Sequence, residues 1–422
     1  MILKNIRFLV TQNREREIFE NVDLEIKDDR IKSIGRGLNG RREIDCSERI
    51  VMPGLVNTHT HAAMTLLRGI SDNKVLDDWL NEDIFPAEEA LNETDAYFGA
   101  LLASIEMLES GTTTFNDMYF HMESVAKAVE DTGIRALLSR GLTDIEGPAY
   151  ESLFESEEFI KKYKEHELIR PGIAPHAIYT CSEGLLKASR KVADRHDAPF
   201  HIHVSETEKE NSDAISEHGM TPVQYLSNHG ILTKNTIVAH ATWLNDTDKF
   251  LIAQANAGVA HNPAANLKLG NGVADVPSLI EQGIKIGIGT DGVASNNNLN
   301  LFEEAKLAGL LHKRNDPRDI TEQEVLDMLT ISGARVLGME DEIGSIEEGK
   351  KADIVMIDTD DSSLTPYHGK RGLVSNLVFS FDGDVSEVIV NGKFVYTGEG
   401  VLVDEERVRE EVQERAERIT GQ

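Results

Sequence analysis

Residues 53–61 read Pro53-Gly54-Leu55-Val56-Asn57-Thr58-His59-Thr60-His61: a turn, a short apolar start, then two histidines two positions apart. Side chains two apart on a strand point to the same side, so both imidazoles can face one metal ion. Alone, such a pair is a weak sign, because an exposed polar strand end produces it too. Three stretches downstream give it weight. Phe200-His201-Ile202-His203-Val204-Ser205-Glu206 is an apolar run ending in another His-x-His and a glutamate. Ile237-Val238-Ala239-His240 closes on a histidine, and Ile286-Gly287-Ile288-Gly289-Thr290-Asp291 closes on an aspartate. Each by itself reads more readily as a satisfied histidine or a capping aspartate, since isolated matches are common. Together they are four strand ends carrying metal-ligand residue types.

Working outward, candidate strands begin near Gly54, Thr113, Ile134, Pro171, Phe200, Thr236, Val259 and Ile284. Helical stretches lie between them, such as Thr94 to Glu109, Glu183 to His196 and Leu299 to Lys313. Eight βα units make an α/β protein of the TIM-barrel kind, in which the C-terminal ends of the strands converge on one mouth. Strands one, five, six and eight would bring their ligand residues there. Both chain ends are instead β-rich. Ile2 to Val10, Val22 to Ile26 and Arg30 to Ile34 open the chain; Ala352 to Asp358, Val385 to Val390 and Lys393 to Tyr396 come near its close. Asn391-Gly392 between the last two runs is a hairpin signal. Neither end is long enough for a good sheet alone, so the two should pair into one small β-sandwich. The expected division is 1–53 for its first half, 54–342 for the catalytic barrel, and 343–422 for its second half plus a charged terminal helix from Asp404 to Ile419.

Bulk composition acts mainly by exclusion. The length of 422 residues suits one large barrel with an accessory domain. Seventy-three acidic residues against 43 basic give a net charge of -30, which repels a nucleic-acid polymer. The same surplus reads as plain solubility or as adaptation to a salty cytoplasm, and the sequence leaves both open. No apolar run reaches the roughly 18 residues of a membrane helix, and the strand-like N-terminus has no secretory pattern. Two distant cysteines, Cys46 and Cys181, suit a reducing cytoplasm and are too few for a cysteine-rich zinc site. They also exclude the paired-cysteine zinc signature of cytidine-type deaminases. Gly344 to Lys351 nearly spells a phosphate loop but lacks the Ser/Thr after its lysine. The glycines of Gly287 to Gly292 mimic a dinucleotide fingerprint, yet they sit at the eighth strand rather than opening a βαβ unit.

The order Pro53 to His61, then His203, His240 and Asp291, resembles the amidohydrolase superfamily over nearly the whole chain. Within it the chain is most similar to the S-adenosylhomocysteine / 5'-methylthioadenosine / 5'-deoxyadenosine deaminases. The stretches that carry this are His61 to Gly69, Ser110 to Met118, His261-Asn262-Pro263 through Leu269, and Thr290-Asp291-Gly292 through Asn297. The resemblance implies that His59, His61, His203 and Asp291 ligate one divalent metal, Zn2+ or Fe2+. It makes His240 the residue that orients the attacking water. Asp291 becomes the base that takes the water's proton, and Glu206 the acid that protonates the purine ring nitrogen. The fourth-strand lysine of two-metal relatives is missing from Pro171-Gly172-Ile173-Ala174-Pro175-His176, so one ion per chain is expected.

For the substrate, the same resemblance assigns Glu88 to the ribose hydroxyls, His176 to the nucleoside wall and Ser295 to the purine edge. Arg140 matches one of two arginines that grip the carboxylate of homocysteine-type substrates. The other would lie near Ser152, where Gly147 to Phe154 holds no arginine. The implied activity is hydrolytic deamination at the 6-amino group of an adenine nucleoside: 5'-deoxyadenosine, 5'-methylthioadenosine, S-adenosylhomocysteine or adenosine. Two readings stand beside it, namely hydrolysis of another amino- or chloro-heterocycle such as guanine or a triazine, and metal binding without catalysis. Glu206 and His240, neither needed to hold a metal, argue against the last. A homo-oligomer stays open.

Overall fold

The alternation of apolar strands and amphipathic helices through the centre of the chain closes into a barrel in the computed structural model, which describes residues 1–145 and 147–421. Its strands, in chain order, are β1 (Leu55–Thr60), β2 (Thr112–Tyr119), β3 (Arg135–Leu142), β4 (Ile169–Pro175), β5 (Phe200–Val204), β6 (Thr236–His240), β7 (Gly258–His261) and β8 (Lys285–Ile288). Each pairs in parallel with the next, for example Val204 opposite His240 across β5 and β6. Every residue of β1, β2, β5 and β6 is buried, as parallel strands covered on both faces require. The ring is shut by a parallel bridge between Thr60 and Asp291 and by the Asp291 N–H, which donates to the His59 carbonyl at 3.0 Å. Closure therefore ties the first and last ligand-bearing strands together.

Local signals set the helix ends. Glu183–His196 starts where the Ser182 hydroxyl accepts the Leu185 N–H and stops at Asp197 in the left-handed region. Glu93–Glu109 opens on a capping box made by Asn92 and Asp95.

The two chain ends build two further sheets. One has four strands from the N-terminal segment alone, in the order Arg30–Gly35, Val22–Lys27, Ile2–Ile6, Glu43–Asp45. The other has seven strands and mixes the ends, with Arg49–Pro53 between Phe8–Val10 and Ile354–Asp358. Leu3, Leu24, Val51, Ile354 and Ile389 meet in a shared core, which makes the pair a sandwich. Asn391 and Gly392 both have positive φ, 51° and 75°, as a two-residue hairpin turn demands. The run expected from Ile2 to Val10 is broken in two. Asn5 takes φ 57°, a conformation asparagine tolerates, and the bend sends Phe8–Val10 into the other sheet.

Two tail elements lie on the barrel side. Gly369–Phe379 packs against Leu301–Leu311 and Glu322–Leu329, and the terminal helix Glu405–Thr420 packs on Glu93–Glu109, where Arg415 and Arg418 meet the buried Asp95. No helix among the described residues is long and apolar enough to cross a membrane.

Candidate metal centre and active site

At the C-terminal mouth of the barrel, four strand ends place imidazoles and a carboxylate within reach of each other. His59, His203 and His240 form one cluster whose ligand atoms lie within 4.8 Å of one another, and His59, His61 and Asp291 form a second. Asp291 Oδ1 is 3.3 Å from His59 Nε2 and 3.2 Å from His61 Nε2; His61 Nε2 and His203 Nε2 are 3.4 Å apart.

The outer ring nitrogens decide what these histidines can do. His61 Nδ1 donates to the Met118 carbonyl at 2.6 Å, His203 Nδ1 to the His176 carbonyl at 2.8 Å, and His240 Nδ1 to the Asn266 side-chain oxygen at 2.9 Å. A proton fixed on Nδ1 leaves a bare lone pair on Nε2, pointed inward. His59 Nδ1 meets His201 Nε2 at 2.9 Å, while its fully buried Nε2 makes no well-aligned hydrogen bond among the described residues. Buried lone pairs left without a proton donor cost about 1–3 kcal/mol each. The inward nitrogens of His59, His61 and His203, crowded against one another and against the Asp291 carboxylate, therefore fit a divalent cation. Burial opposes ionisation of Asp291, but the His59 and His61 imidazoles beside it outweigh that and hold the carboxyl well below its ordinary range. Gly289 permits this close approach, since a Cβ there would sit 2.4 Å from Asn262 Oδ1 and 2.8 Å from the His59 nitrogen.

Beside the cluster opens a cavity of about 490 Å³ whose floor includes His61, His203, His240, Glu206 and Asp291. Glu206 is buried, with Oε2 3.7 Å from His240 Nε2. Burial raises its pKa and the nearby His240 pulls the other way, leaving the acid form favoured relative to a free glutamate. Ser205 before it takes φ 53°, an uncommon value for that residue. That bend is held by Glu210, whose two oxygens accept the N–H groups of Ser205 (3.0 Å) and Glu206 (2.7 Å). Burial pushes the Glu210 carboxyl up to about 8.

The substrate-side residues divide. Glu88 and His176 both line the cavity. Burial pushes Glu88 up to about 7, against the pull of the Tyr119 hydroxyl, and burial takes His176 down to about 4. Ser295 is held elsewhere: its hydroxyl donates to Asp291 Oδ2 at 3.0 Å and lies 2.9 Å from the Gly292 carbonyl, and it is not part of the cavity wall. Arg140 is also absent from the wall. Its guanidinium pairs with the partly exposed Glu155 at 2.8 Å.

Several participants are not separable from their background in the sequence. His201 and His203 share one motif and one face of β5, but barrel interiors stack in layers, and His201 lies a layer deeper, behind His59. Asp117 accepts the Ala62 N–H at 2.7 Å and so holds the turn after His61. Over the cavity runs a segment from Leu76 to Glu89, including a π-helical turn at Leu80–Ile84, that supplies Trp79, Leu80, Ile84 and Phe85 to the wall.

Comparison with known proteins agrees with this arrangement. The sequence pattern of the amidohydrolase family matches residues 50–395. A 5'-deoxyadenosine deaminase of Methanothermobacter thermautotrophicus is 44% identical over 94% of each chain. A 5-methylthioadenosine/S-adenosylhomocysteine deaminase of Thermodesulfovibrio yellowstonii is 41% identical, covering 98% of this chain and 97% of its own. Among solved structures, an adenosine deaminase from Xanthomonas campestris with bound zinc superposes with a TM-score of 0.96 at 30% identity, covering 100% of this chain and 98% of the other.

Proposed function

Since the chain belongs to the amidohydrolase family, we propose that it is a hydrolytic deaminase which converts the 6-amino group of an adenine nucleoside to the inosine form and releases ammonia. The observation that carries this reading is the placement of Glu206 beside His240 at the floor of a cavity that also reaches the Asp291 cluster. An acid, a water-orienting imidazole and a separate carboxylate base lining one cavity are what opposed proton transfers need.

His59, His61, His203 and Asp291 hold the metal in this reading, one ion per chain, with zinc the favoured identity. A divalent ion supplies a Lewis acid that lowers the pKa of the attacking water. His240, its Nδ1 proton committed to Asn266, presents a bare Nε2 that accepts a hydrogen bond from that water and orients it. Asp291 takes one proton from the water as its oxygen bonds to C6. Glu206 gives its proton to N1, so that negative charge does not accumulate in the ring. The C6–N6 bond then breaks as the proton from Asp291 passes to nitrogen, which leaves as ammonia; the remaining C6 hydroxyl proton returns to Glu206 and restores its acid form, and the N1 proton remains on the product. Glu88 binds the ribose hydroxyls and His176 packs beside the sugar. A cytoplasmic setting without a nucleic-acid polymer as partner fits the same reading, as do the two free cysteines.

The test is ammonia release from adenosine, 5'-deoxyadenosine, 5'-methylthioadenosine, S-adenosylhomocysteine and guanine with metal-loaded protein. Turnover of the nucleosides is expected. Turnover of guanine without them would overturn the ribose-binding role of Glu88.

A further inference from the structure

Two anchors hold Glu206, and only one of them touches its carboxyl. Glu210 fixes the backbone leading into it, at the N–H groups of Ser205 and Glu206. The side chain itself accepts from Asn271, whose Nδ2 is 2.8 Å from Oε1. Asn271 is 5% exposed and firmly placed. Its backbone N–H donates to the Asn266 carbonyl at 2.8 Å, and its own carbonyl accepts the Trp243 ring N–H at 2.5 Å. The same Asn266 receives the His240 Nδ1 proton through its side chain. One short stretch after β7 therefore orients both the water-side histidine and the acid.

We propose that Asn271 is a positioning residue of the deamination, whose amide N–H keeps Glu206 Oε1 an acceptor and so confines the transferable proton to Oε2. Oε2 is the oxygen 3.7 Å from His240 Nε2, on the reacting side. The inference rests on the proposed role of Glu206 as the ring-nitrogen acid. A protonated carboxyl has one hydroxyl and one carbonyl oxygen, and the amide donor can be satisfied only by the latter. When Glu206 hands its proton to N1, Oε1 becomes part of a carboxylate and the same hydrogen bond becomes charge-assisted and stronger. Asn271 thus stabilises the state after proton transfer more than the state before it, which is the condition for raising kcat rather than lowering KM. The reverse orientation, with Oδ1 toward Glu206, would draw the acid's proton onto Oε1 and away from the substrate.

The experiment uses the metal-loaded full chain with 5'-deoxyadenosine. Asn271→Leu keeps the branching at Cγ and the number of side-chain heavy atoms and removes the donor. It should lower kcat by about tenfold to a hundredfold while KM stays within about twofold. Binding of a hydrated purine ribonucleoside, tetrahedral at C6 with hydrogen on N1, should weaken by the same factor. Binding of 1-deazaadenosine, which has no N1 to protonate, should be unchanged. If Asn271→Leu yields no folded, metal-loaded protein by thermal melting and metal analysis, Asn271→Asp has the same shape, lacks the amide donor and should give the same split. A kcat within about twofold of the parent overturns the proposal, as does an equal weakening of both ligands. Near-normal turnover by Glu206→Gln would instead remove the acid itself, and the proposal with it; a strong Glu206→Gln defect beside an indifferent Asn271→Leu overturns the role of Asn271 alone.

Discussion

Arg140 Nη1 lies 2.8 Å from Glu155 Oε2, so this guanidinium, next in sequence to the cavity-lining Gly141, is already paired within its own chain. Ser152 adds only a long contact to the same guanidinium, at 3.5 Å. A substrate carboxylate reaching this point meets a spent arginine and a second carboxylate. Ile145, Phe120 and Tyr179 on the cavity wall offer apolar surface suited to uncharged 5' groups. The expected outcome is a kcat/KM for 5'-deoxyadenosine and 5'-methylthioadenosine equal to or above that for S-adenosylhomocysteine. Glu155→Ala should free Arg140 and raise S-adenosylhomocysteine selectively, by several-fold at most, because the pair is partly exposed and screened. A tenfold or greater preference for S-adenosylhomocysteine in the parent enzyme would contradict this account of the pocket.

Glu206→Gln should retain its metal and lose turnover by about 10²-fold or more, since the amide matches the acid in size but offers no carboxylic proton. Steady-state kinetics beside elemental analysis separates the two effects. Turnover near that of the parent would assign ring protonation to another group.

The purified protein should carry about one divalent ion per chain and lose activity and thermal stability on chelation, because binding to a site absent from the unfolded chain adds directly to folding free energy. Gly289→Ala should lower metal occupancy without touching a ligand, by forcing a Cβ against the His59 backbone and the Asn262 side chain. Two tightly bound ions per chain, or full occupancy in Gly289→Ala, would count against the site as described.

Glu88 gives a pH-dependent prediction. Burial raises its pKa to about 7, so the carboxylate form proposed to accept the ribose hydroxyl protons predominates only above that point. Raising the pH through about 7 should therefore lower KM for ribosylated substrates, and lowering it should raise KM. Glu88→Gln should have a higher KM that is flat across the same interval. A parent KM that rises with pH there would place the ionised form on the wrong side of the argument.

The barrel was legible because its strands are short apolar runs at regular spacing, and ligand-type residues closing four of them fixed which ends converge. Strand starts fell within two residues of those observed, from Leu55 in β1 to Lys285 in β8. The roles of polar residues inside the mouth were far less legible. Nothing in a linear string separates His201 from His203, because alternation specifies a face and not a depth. Asn266 and Asn271 look like ordinary loop residues until the chain turns them toward His240 and Glu206. Arg140 illustrates the converse: its position in the motif indicates a substrate contact, while its partner Glu155 sits fifteen places on, in a helix with no such signature.

The seating of Arg49–Pro53 between Phe8–Val10 and Ile354–Asp358 bears on how the molecule is made. During synthesis the strand leading straight into β1 can find its early neighbour at once, but its other edge must wait until some three hundred further residues have emerged, with Met52 finally opposite Val355. Until then a row of unpaired backbone groups beside the buried side chains of Ile50, Val51 and Met52 is left open. Partners so distant along the chain also make closure slow. A nascent chain truncated before residue 354 thus has a sticky border next to the first ligand strand, and the finished C-terminus acts as the latch that seals it.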